Sequence, residues 1–379
     1  MLSAVESLGF RNLADGRIEL RPGIVVVHGP NGAGKTNLLE AVCFGLVAHS
    51  FRAGNDRDLI RFGEDSVRVE LELSGHDGSN LLAALDRAGE RRHRLDGRPL
   101  SGAPGERPLL SVFHPDRLQL IKGAPAHRRA HLDRLCAALW PARSELRARF
   151  GRTLAQRNAL VARVRAGLAL ADSLASWDSR LASEAEPLIA ARAEAVAALK
   201  GPFAEHAEEL GLTEVEVGYR PRAEGDREAI LEELVRRRES DLGRAYKSYG
   251  PQLDEVELRI GGRTLRRFGS QGQQRVALLA LLFAERAALL AAGRPAPLML
   301  LDDVMSELDP EHRELLVATL ADAGQALITA TEPGARKRPW RRSNRPRIPM
   351  EPSRSSRDAR SSAWSWTGSS GYPTTAGRR

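Results

Sequence analysis

Between Ile24 and Glu40 the chain reads Ile-Val-Val-Val-His-Gly-Pro-Asn-Gly-Ala-Gly-Lys-Thr-Asn-Leu-Leu-Glu, and no other stretch restricts its fold so tightly. Four β-branched residues in a row, Ile24 to Val27, suit a strand buried on both faces of a parallel sheet. Gly29, Gly32 and Gly34 then free the backbone, and Lys35-Thr36 opens an amphipathic run through Leu38, Leu39, Val42 and Leu46. Strand, glycine loop and helix in that order are the setting of a phosphate-binding loop, G-x-x-x-x-G-K-T. Glycines let successive N–H groups converge on an anion, and the helix start adds its positive dipole end. In this arrangement Lys35 reaches the outer phosphates and the Thr36 hydroxyl holds Mg²⁺. A glycine-rich turn without a ligand would explain neither the hydroxyl nor Lys35, one of five lysines beside fifty-two arginines.

The chain has 379 residues, enough for a large core and two lobes. Its richest apolar run, Val276 to Phe283, is soon cut by Glu285 and Arg286, too short to span a membrane. The N-terminus carries Glu6 and Arg11 and no long apolar core, so no signal peptide is expected. A cytoplasmic protein without a membrane partner is the expectation. Cys43 and Cys136 lack metal-ligand spacing, and Cys43 falls on the apolar side of the loop's helix, where it reads as a small buried hydrophobe. The net charge of +8 is misleading. From Pro333 onward twelve Lys/Arg face two acids, which leaves Met1 to Glu332 near −2. Any claim of nucleic-acid binding by the body must therefore rest on local patches.

Ahead of the loop, Val5 to Leu8 and Arg17 to Leu20 are short strand candidates. Val67 to Leu73 alternates strictly, as an antiparallel strand with one wet face does. Asp96-Gly97-Arg98 reads as a hairpin tip. Arg91, Arg92 and Arg94 beside it could meet phosphate, although such a cluster more often lines a solvated edge. From Pro125 the pattern turns helical, over Arg128 to Leu139, Ser144 to Leu170, and Ser173 to Lys200, too short for an extended coiled-coil arm. Thr213 to Tyr219 and Asp254 to Ile260 alternate as strands, with a helix over Asp226 to Leu242 between them.

Two further stretches carry chemistry. Leu298-Met299-Leu300-Leu301-Asp302-Asp303 is an apolar strand ending in paired carboxylates. In a parallel sheet that end faces the phosphate loop, where Asp302 can hold Mg²⁺ and Asp303 can orient or deprotonate a water. A helix-capping role would explain one carboxylate but not two. Upstream, Phe268-Gly269-Ser270-Gln271-Gly272-Gln273-Gln274-Arg275 precedes a helix and makes a second anion site at its start.

Phosphate loop, Ser-Gln-Gly-Gln, acid strand and Ser306-Glu307-Leu308-Asp309, in this order, resemble an ABC-type ATPase head. The 267 residues from Lys35 to Asp302 exceed a transporter subunit and fall short of a long-armed chromosome-structure protein. Within that superfamily the chain resembles the RecF family of DNA replication and repair proteins. Phe10-Arg11-Asn12, Asn31 to Ala41, Leu59 to Gly63, Ile121 to Arg129, Gln156 to Leu160, Ser270 to Arg275, and Leu301 to Asp309 carry the likeness, which covers Met1 to about Glu332.

The resemblance implies an α/β, ABC-type P-loop ATPase head with an inserted, mostly helical lobe II and a disordered C-terminal tail. Lobe I comprises residues 1–118 and 250–332, lobe II residues 119–249, and the tail residues 333–379. It further implies that Gly29, Pro30, Asn31, Gly32, Ala33, Gly34, Lys35, Thr36 and Asn37 cradle ATP, with Thr36 and Asp302 on Mg²⁺ and Asp303 in the catalytic position. Ser270, Gly272 and Gln273 would meet the γ-phosphate of a second subunit, with Asp309 at the seam of an ATP-dependent homodimer. The implied activity is ATP-dependent binding to double-stranded DNA and single-strand gaps with slow hydrolysis. The implied partners are RecO, RecR and RecA, and the setting is repair, recombination and the SOS response.

Some segments depart from the pattern. Arg117 follows Asp116 where relatives usually carry a second acid, and Pro251-Gln252 stand where a His-Arg pair is usual. Thr331 closes a strand that carries a switch histidine in transporters. The tail has no Leu or Val and three of the five Trp. Either Arg336-Lys337-Arg338, Arg341-Arg342, Trp340, Trp364 and Trp366 form a nucleic-acid-binding arm, or the ending has no selected role; its abrupt change of composition favours the second. The alternative to a RecF-like function is an ATPase subunit of another DNA-processing or transport complex. A nuclease-bearing relative would need more acids than the two after Glu332.

Overall fold

Residues Leu298–Leu301 are apolar at every position because they face two cores at once. Leu298 and Leu300 pack into one cluster with Val25, Val27 and Leu327, whereas Met299 and Leu301 pack into another with Ile328 and Phe113. The computed structural model describes residues 1–74, 78–100, 109–243, 249–306, 308–321 and 324–331, with the backbone of 347–349.

The N-terminal part contains strands β1 (Leu2–Leu8), β2 (Gly16–Glu19) and β3 (Ile24–His28), helix α1 (Lys35–Val47), and strands β4 (Ser66–Leu73), β5 (Ser79–Asp86), β6 (Arg91–Leu95), β7 (Arg98–Pro99) and β8 (Leu110–Phe113). The middle holds helices α2 (Gln119–Lys122), α3 (Pro125–Leu139), α4 (Leu146–Arg165) and α5 (Leu174–Glu209), strand β9 (Val215–Arg220), and helices α6 (Arg227–Arg236) and α7 (Arg238–Gly243). The C-terminal part adds β10 (Glu255–Ile260), β11 (Arg263–Thr264), α8 (Leu265–Phe268), α9 (Gln271–Ala291), β12 (Leu298–Leu301), α10 (Pro310–Ala321), β13 (Ala326–Ala330) and β14 (Arg347–Pro349).

The described residues form three sheets. One is antiparallel in the order β2-β1-β4-β5-β6-β7, one is parallel in the order β14-β3-β13-β12-β8, and one is β11-β10-β9. Helix α1 is apolar nearly all round because it lies between the first two sheets, touching Val69 and Leu71 on one side and Val25 and Val27 on the other. Gly45 permits this approach, since a Cβ there would sit 2.6 Å from Leu71 Cγ. Cys43 is buried in the same layer.

The second core gathers α3, the C-terminal half of α5, and α9 against the other face of the parallel sheet. A third, smaller one joins α4, α5 and α6. The β9–β10 pairing runs from Val215↔Ile260 to Arg220↔Glu255, so one sheet crosses position 250, where the sequence divides the lobes. Helix α5 runs 36 residues, through Pro187 and Pro202 and beyond the end expected at Lys200. Burial of Ala191, Ala195, Leu199, Phe203 and Ala207 along one stripe offsets the bonds the prolines remove. The helix expected over Asp226 to Leu242 is two helices, broken at Arg237. Of the tail, the backbone of Arg347–Pro349 lies parallel to β3; Trp340, Trp364 and Trp366 lie outside the described residues.

Candidate nucleotide site

Glycine is required twice in the loop between β3 and α1. Gly32 has φ +81° and Gly34, the N-cap of α1, has φ +91°. Holding an L-residue in this region costs about 1–2 kcal/mol. The N–H groups of Lys35 and Thr36 fall in the first helical turn and have no partner inside the helix, so they remain for an anion. The Lys35 ammonium donates to the carbonyls of Gly29 (2.8 Å) and Pro30 (3.0 Å), which keeps the cation at the loop. Asn31 and Gly32 are exposed, Ala33 and Gly34 buried.

Strand order places the acids. Because β13 lies between β3 and β12, the C-terminal ends of all three open on one edge of the sheet. Thr36 Oγ1 donates to the Asp302 carboxylate, 2.9 Å from Oδ1 and 3.1 Å from Oδ2, although 266 residues separate the two. Thr329 on β13 donates to Asp302 Oδ1 at 2.8 Å and accepts from the Asp303 N–H at 2.7 Å. Asp302 is buried, and with the Thr36 hydroxyl it forms the hard oxygen donor set that suits Mg²⁺. Asp303 has φ +51°, a strained backbone for a non-glycine residue, and its carboxylate takes no hydrogen bond from any described residue.

Three supporting features escaped the sequence reading. Thr329 is one. A second is His114, directly after β8, whose ring lies 5.0 Å from that of Phe51. Burial, the largest influence, holds its pKa below the ordinary value, while the carboxylates of Asp116 and Asp302 pull the other way. The third is the cluster around Glu40. Glu40 on α1 is fully buried and collects Arg11 (2.9 Å), Arg52 (3.0 Å) and Ser50 (2.6 Å). That fixes Asn12, which donates to the Gly32 carbonyl at 3.2 Å and accepts from Asn37. The Arg-Asn pair was the only signal, as part of a family motif.

Ser270 begins α9 as a reciprocal cap: its Oγ accepts from the Gln273 N–H (3.2 Å) and its own N–H donates to Gln273 Oε1 (2.8 Å). Ser270, Gln271 and Gly272 are exposed. Among the described residues no hydrogen bond joins this cap to Lys35, Thr36 or the acids. Asp309 caps α10 through the backbone N–H of His312 at 3.0 Å, and Glu307 lies outside the described residues.

The family model described as "RecF/RecN/SMC N terminal domain" matches residues 1–338. The "DNA replication and repair protein RecF" of Heliobacterium modesticaldum is 35% identical over 345 residues, covering 87% of this chain and 92% of that protein. The chain belongs to the RecF family. RecF of Anaeromyxobacter dehalogenans is 39% identical over 348 residues, covering 85% and 90%. Among solved structures, the recombination mediator protein RecF with ATP, of the RecFOR pathway, is 26% identical with a TM-score of 0.79, covering 89% of this chain and 93% of that one. A Pyrococcus furiosus Smc head shares the fold at 17% identity and a TM-score of 0.51. The ABC-type head expected from the motif order is therefore the fold of this RecF-family chain.

In two RecF-like motifs arginines act as struts within the fold. In Gln156 to Leu160, buried Arg157 pairs with Asp178 of α5 and, at 2.9 Å, with Asp241 of α7. In Ile121 to Arg129, Arg128 donates to Glu255 (2.8 Å) and to the Gly123 carbonyl (2.9 Å), and Arg129 to the Asp254 carbonyl (2.8 Å). Arg192 of α5 completes the strut, bonding Asp133, Asp254 and the Pro251 carbonyl.

Proposed function

We propose that this chain is an ATP-gated, DNA-binding member of the RecF family in which nucleotide joins two copies. The observation that carries the reading is the contact of Thr36 with Asp302 beside Lys35, across the one sheet edge where loop, Thr329 and acids meet. Lys35 exchanges its two loop carbonyls for phosphate oxygens, and the N–H groups of Gly32 to Thr36 close around the β-phosphate. Thr36 and Asp302 hold Mg²⁺, which supplies charge neutralisation of the phosphates when bound. Asp303, strained and with a carboxylate that no described residue engages, holds the water that attacks the γ-phosphate. Its side chain is one methylene shorter than the glutamate common in ABC heads, which fits slow turnover and a switch role. Ser270, Gly272 and Gln273 meet the γ-phosphate bound by the other copy.

Residues 1–118 and 250–332 act as the ATPase lobe, residues 119–249 as the helical lobe. The closed homodimer holds double-stranded DNA near a single-strand gap, and together with RecO and RecR it assists RecA loading in repair, recombination and the SOS response. The names of its relatives and the structures of RecF with ATP support this reading.

Sedimentation of the Asp303→Asn variant with saturating ATP tests the bridge. A dimer is expected, and a monomer contradicts it. Lys35→Met is expected to abolish ATP-stimulated retention of duplex DNA; retention equal to wild type would separate DNA binding from the nucleotide. Phosphate release distinguishes the reading from a DNA-binding module without ATPase activity.

A further inference from the structure

Helix α4 carries six arginines and no acid, in a body whose net charge over residues 1–332 is near −2. Arg157 turns inward to Asp178 and Asp241, and Arg147 pairs with Asp133 at 3.1 Å. Arg149, Arg152 and Arg163 are exposed, with no ion pair to any described residue. At 100° per residue they fall within an arc of about 60°, and at 1.5 Å per residue they span about 21 Å. Exposed Gln156 lies in the same arc, a further hydrogen-bonding group. The adjoining side, Phe150, Thr153, Arg157 and Val161, is buried.

We infer that the exposed arginine face of α4 is the surface on which lobe II grips the phosphate backbone of duplex DNA. The inference rests on the proposed DNA-binding function and deepens it by assigning the contact. About 21 Å of duplex axis presents about twelve phosphate charges, so three guanidiniums in line meet phosphate wherever the duplex lies along the helix. Guanidinium favours phosphate through its planar pair of donors. Backbone contacts of this kind position a duplex without reading its sequence.

The buried Arg157 strut to α5 and α7 holds the stripe on a rigid element, so little order must be gained on binding. A lipid surface is a poor match, because the apolar side of α4 is already spent on the core. The hairpin of β6 and β7 is the weaker basic patch. Arg91 is answered by Asp56 at 2.7 Å and Arg92 by Glu90 at 3.0 Å.

The test compares the full chain with its Arg149→Gln, Arg152→Gln, Arg163→Gln triple variant. Anisotropy of a short random-sequence duplex is followed with ATP over a series of KCl concentrations. The plot of log K against log [KCl] should become shallower by about two to three, and affinity should drop about 10- to 100-fold. Binding of a fluorescent ATP analogue and the melting temperature should match wild type, and the corresponding triple Lys variant should restore most of the slope. An unchanged slope overturns the inference, as does a variant that loses binding to polyglutamate but not to DNA, which would assign the face to an acidic protein. Should wild type bind no duplex with ATP, the proposed function falls and this surface with it.

Discussion

Thr329 Oγ1 lies 2.8 Å from Asp302 Oδ1 and 2.7 Å from the backbone nitrogen of Asp303, so one hydroxyl donates to the first acid and accepts from the second. Thr329 is buried on a strand whose other members are apolar, and this hydroxyl orients the carboxylate that Thr36 meets from the other side. Thr329→Val keeps the shape and removes the hydroxyl. The Asp303 N–H then loses its partner, at a cost of about 1–3 kcal/mol in stability. Mg²⁺-dependent nucleotide affinity should fall about 10- to 100-fold, as when the outer partner of a metal ligand is lost. Denaturant unfolding and nucleotide titration at several Mg²⁺ concentrations check both; an unaltered Mg²⁺ dependence would leave the hydroxyl a purely structural role.

Ser270 caps its helix and, in the proposed dimer, meets the nucleotide of the other copy. Ser270→Arg separates the two roles. Loss of the cap should cost about 1 kcal/mol. ATP-driven self-association should disappear in sedimentation, while ATP binding by the monomer stays at the wild-type level. If ATP binding to the monomer weakens with the association, the serine serves its own phosphate loop, contrary to the arrangement proposed.

What could be read ahead of the structure follows the range of the signal. The run Ile24 to Val27, the glycines and Lys35-Thr36 announce a phosphate loop because strand, loop and helix are contiguous. Asp302 was legible because an apolar strand ending in two acids is a local pattern. Thr329 was not, because its meaning depends on β13 lying between β3 and β12, an order that no local pattern encodes. Arg157 and Arg128 stood out as parts of family motifs, but the carboxylates they meet are 21 and 84 residues from Arg157 and 127 from Arg128, so no local pattern marks them as struts within the fold. Helix α5 continues past Lys200, where the sequence pattern ended it, because burial along one stripe carries it through Pro202.

Arg192 bridges two buried carboxylates, Asp133, which Arg147 also meets, and Asp254, to which the hydroxyl of Tyr219 also donates. Burial opposes its charge, yet the hydrogen bond and field of Asp133, with Asp254, hold the guanidinium above its ordinary pKa. Arg192→Met leaves two carboxylates buried with fewer partners, which should cost about 3–5 kcal/mol. The expected result is a urea midpoint shifted well below wild type. A double variant that also carries Asp133→Asn should recover part of the loss, because one uncompensated charge is removed. A single variant as stable as wild type would mean that water reaches these acids.

Cys43 and Cys136 are both buried, and in each case burial, the largest cause, pushes the thiol up to about 12. The nearby carboxylates of Glu40 and Asp133 act in the same direction. Only the thiolate reacts, so neither residue should be titrated by a disulfide reagent at pH 8 in the native protein, and both should react on unfolding. The sign of the linkage follows. The folded pKa exceeds the unfolded one of about 8.5, so this contribution to stability is complete below that pH and is lost as pH rises toward 12. Cys43→Ala should flatten the fall in stability over that alkaline window, after its constant packing loss is subtracted, while leaving the profile below pH 8 parallel to wild type. Rapid labelling of Cys43 at pH 8 under native conditions would instead show that the layer between α1 and the antiparallel sheet opens to solvent, and with it the base of the phosphate loop.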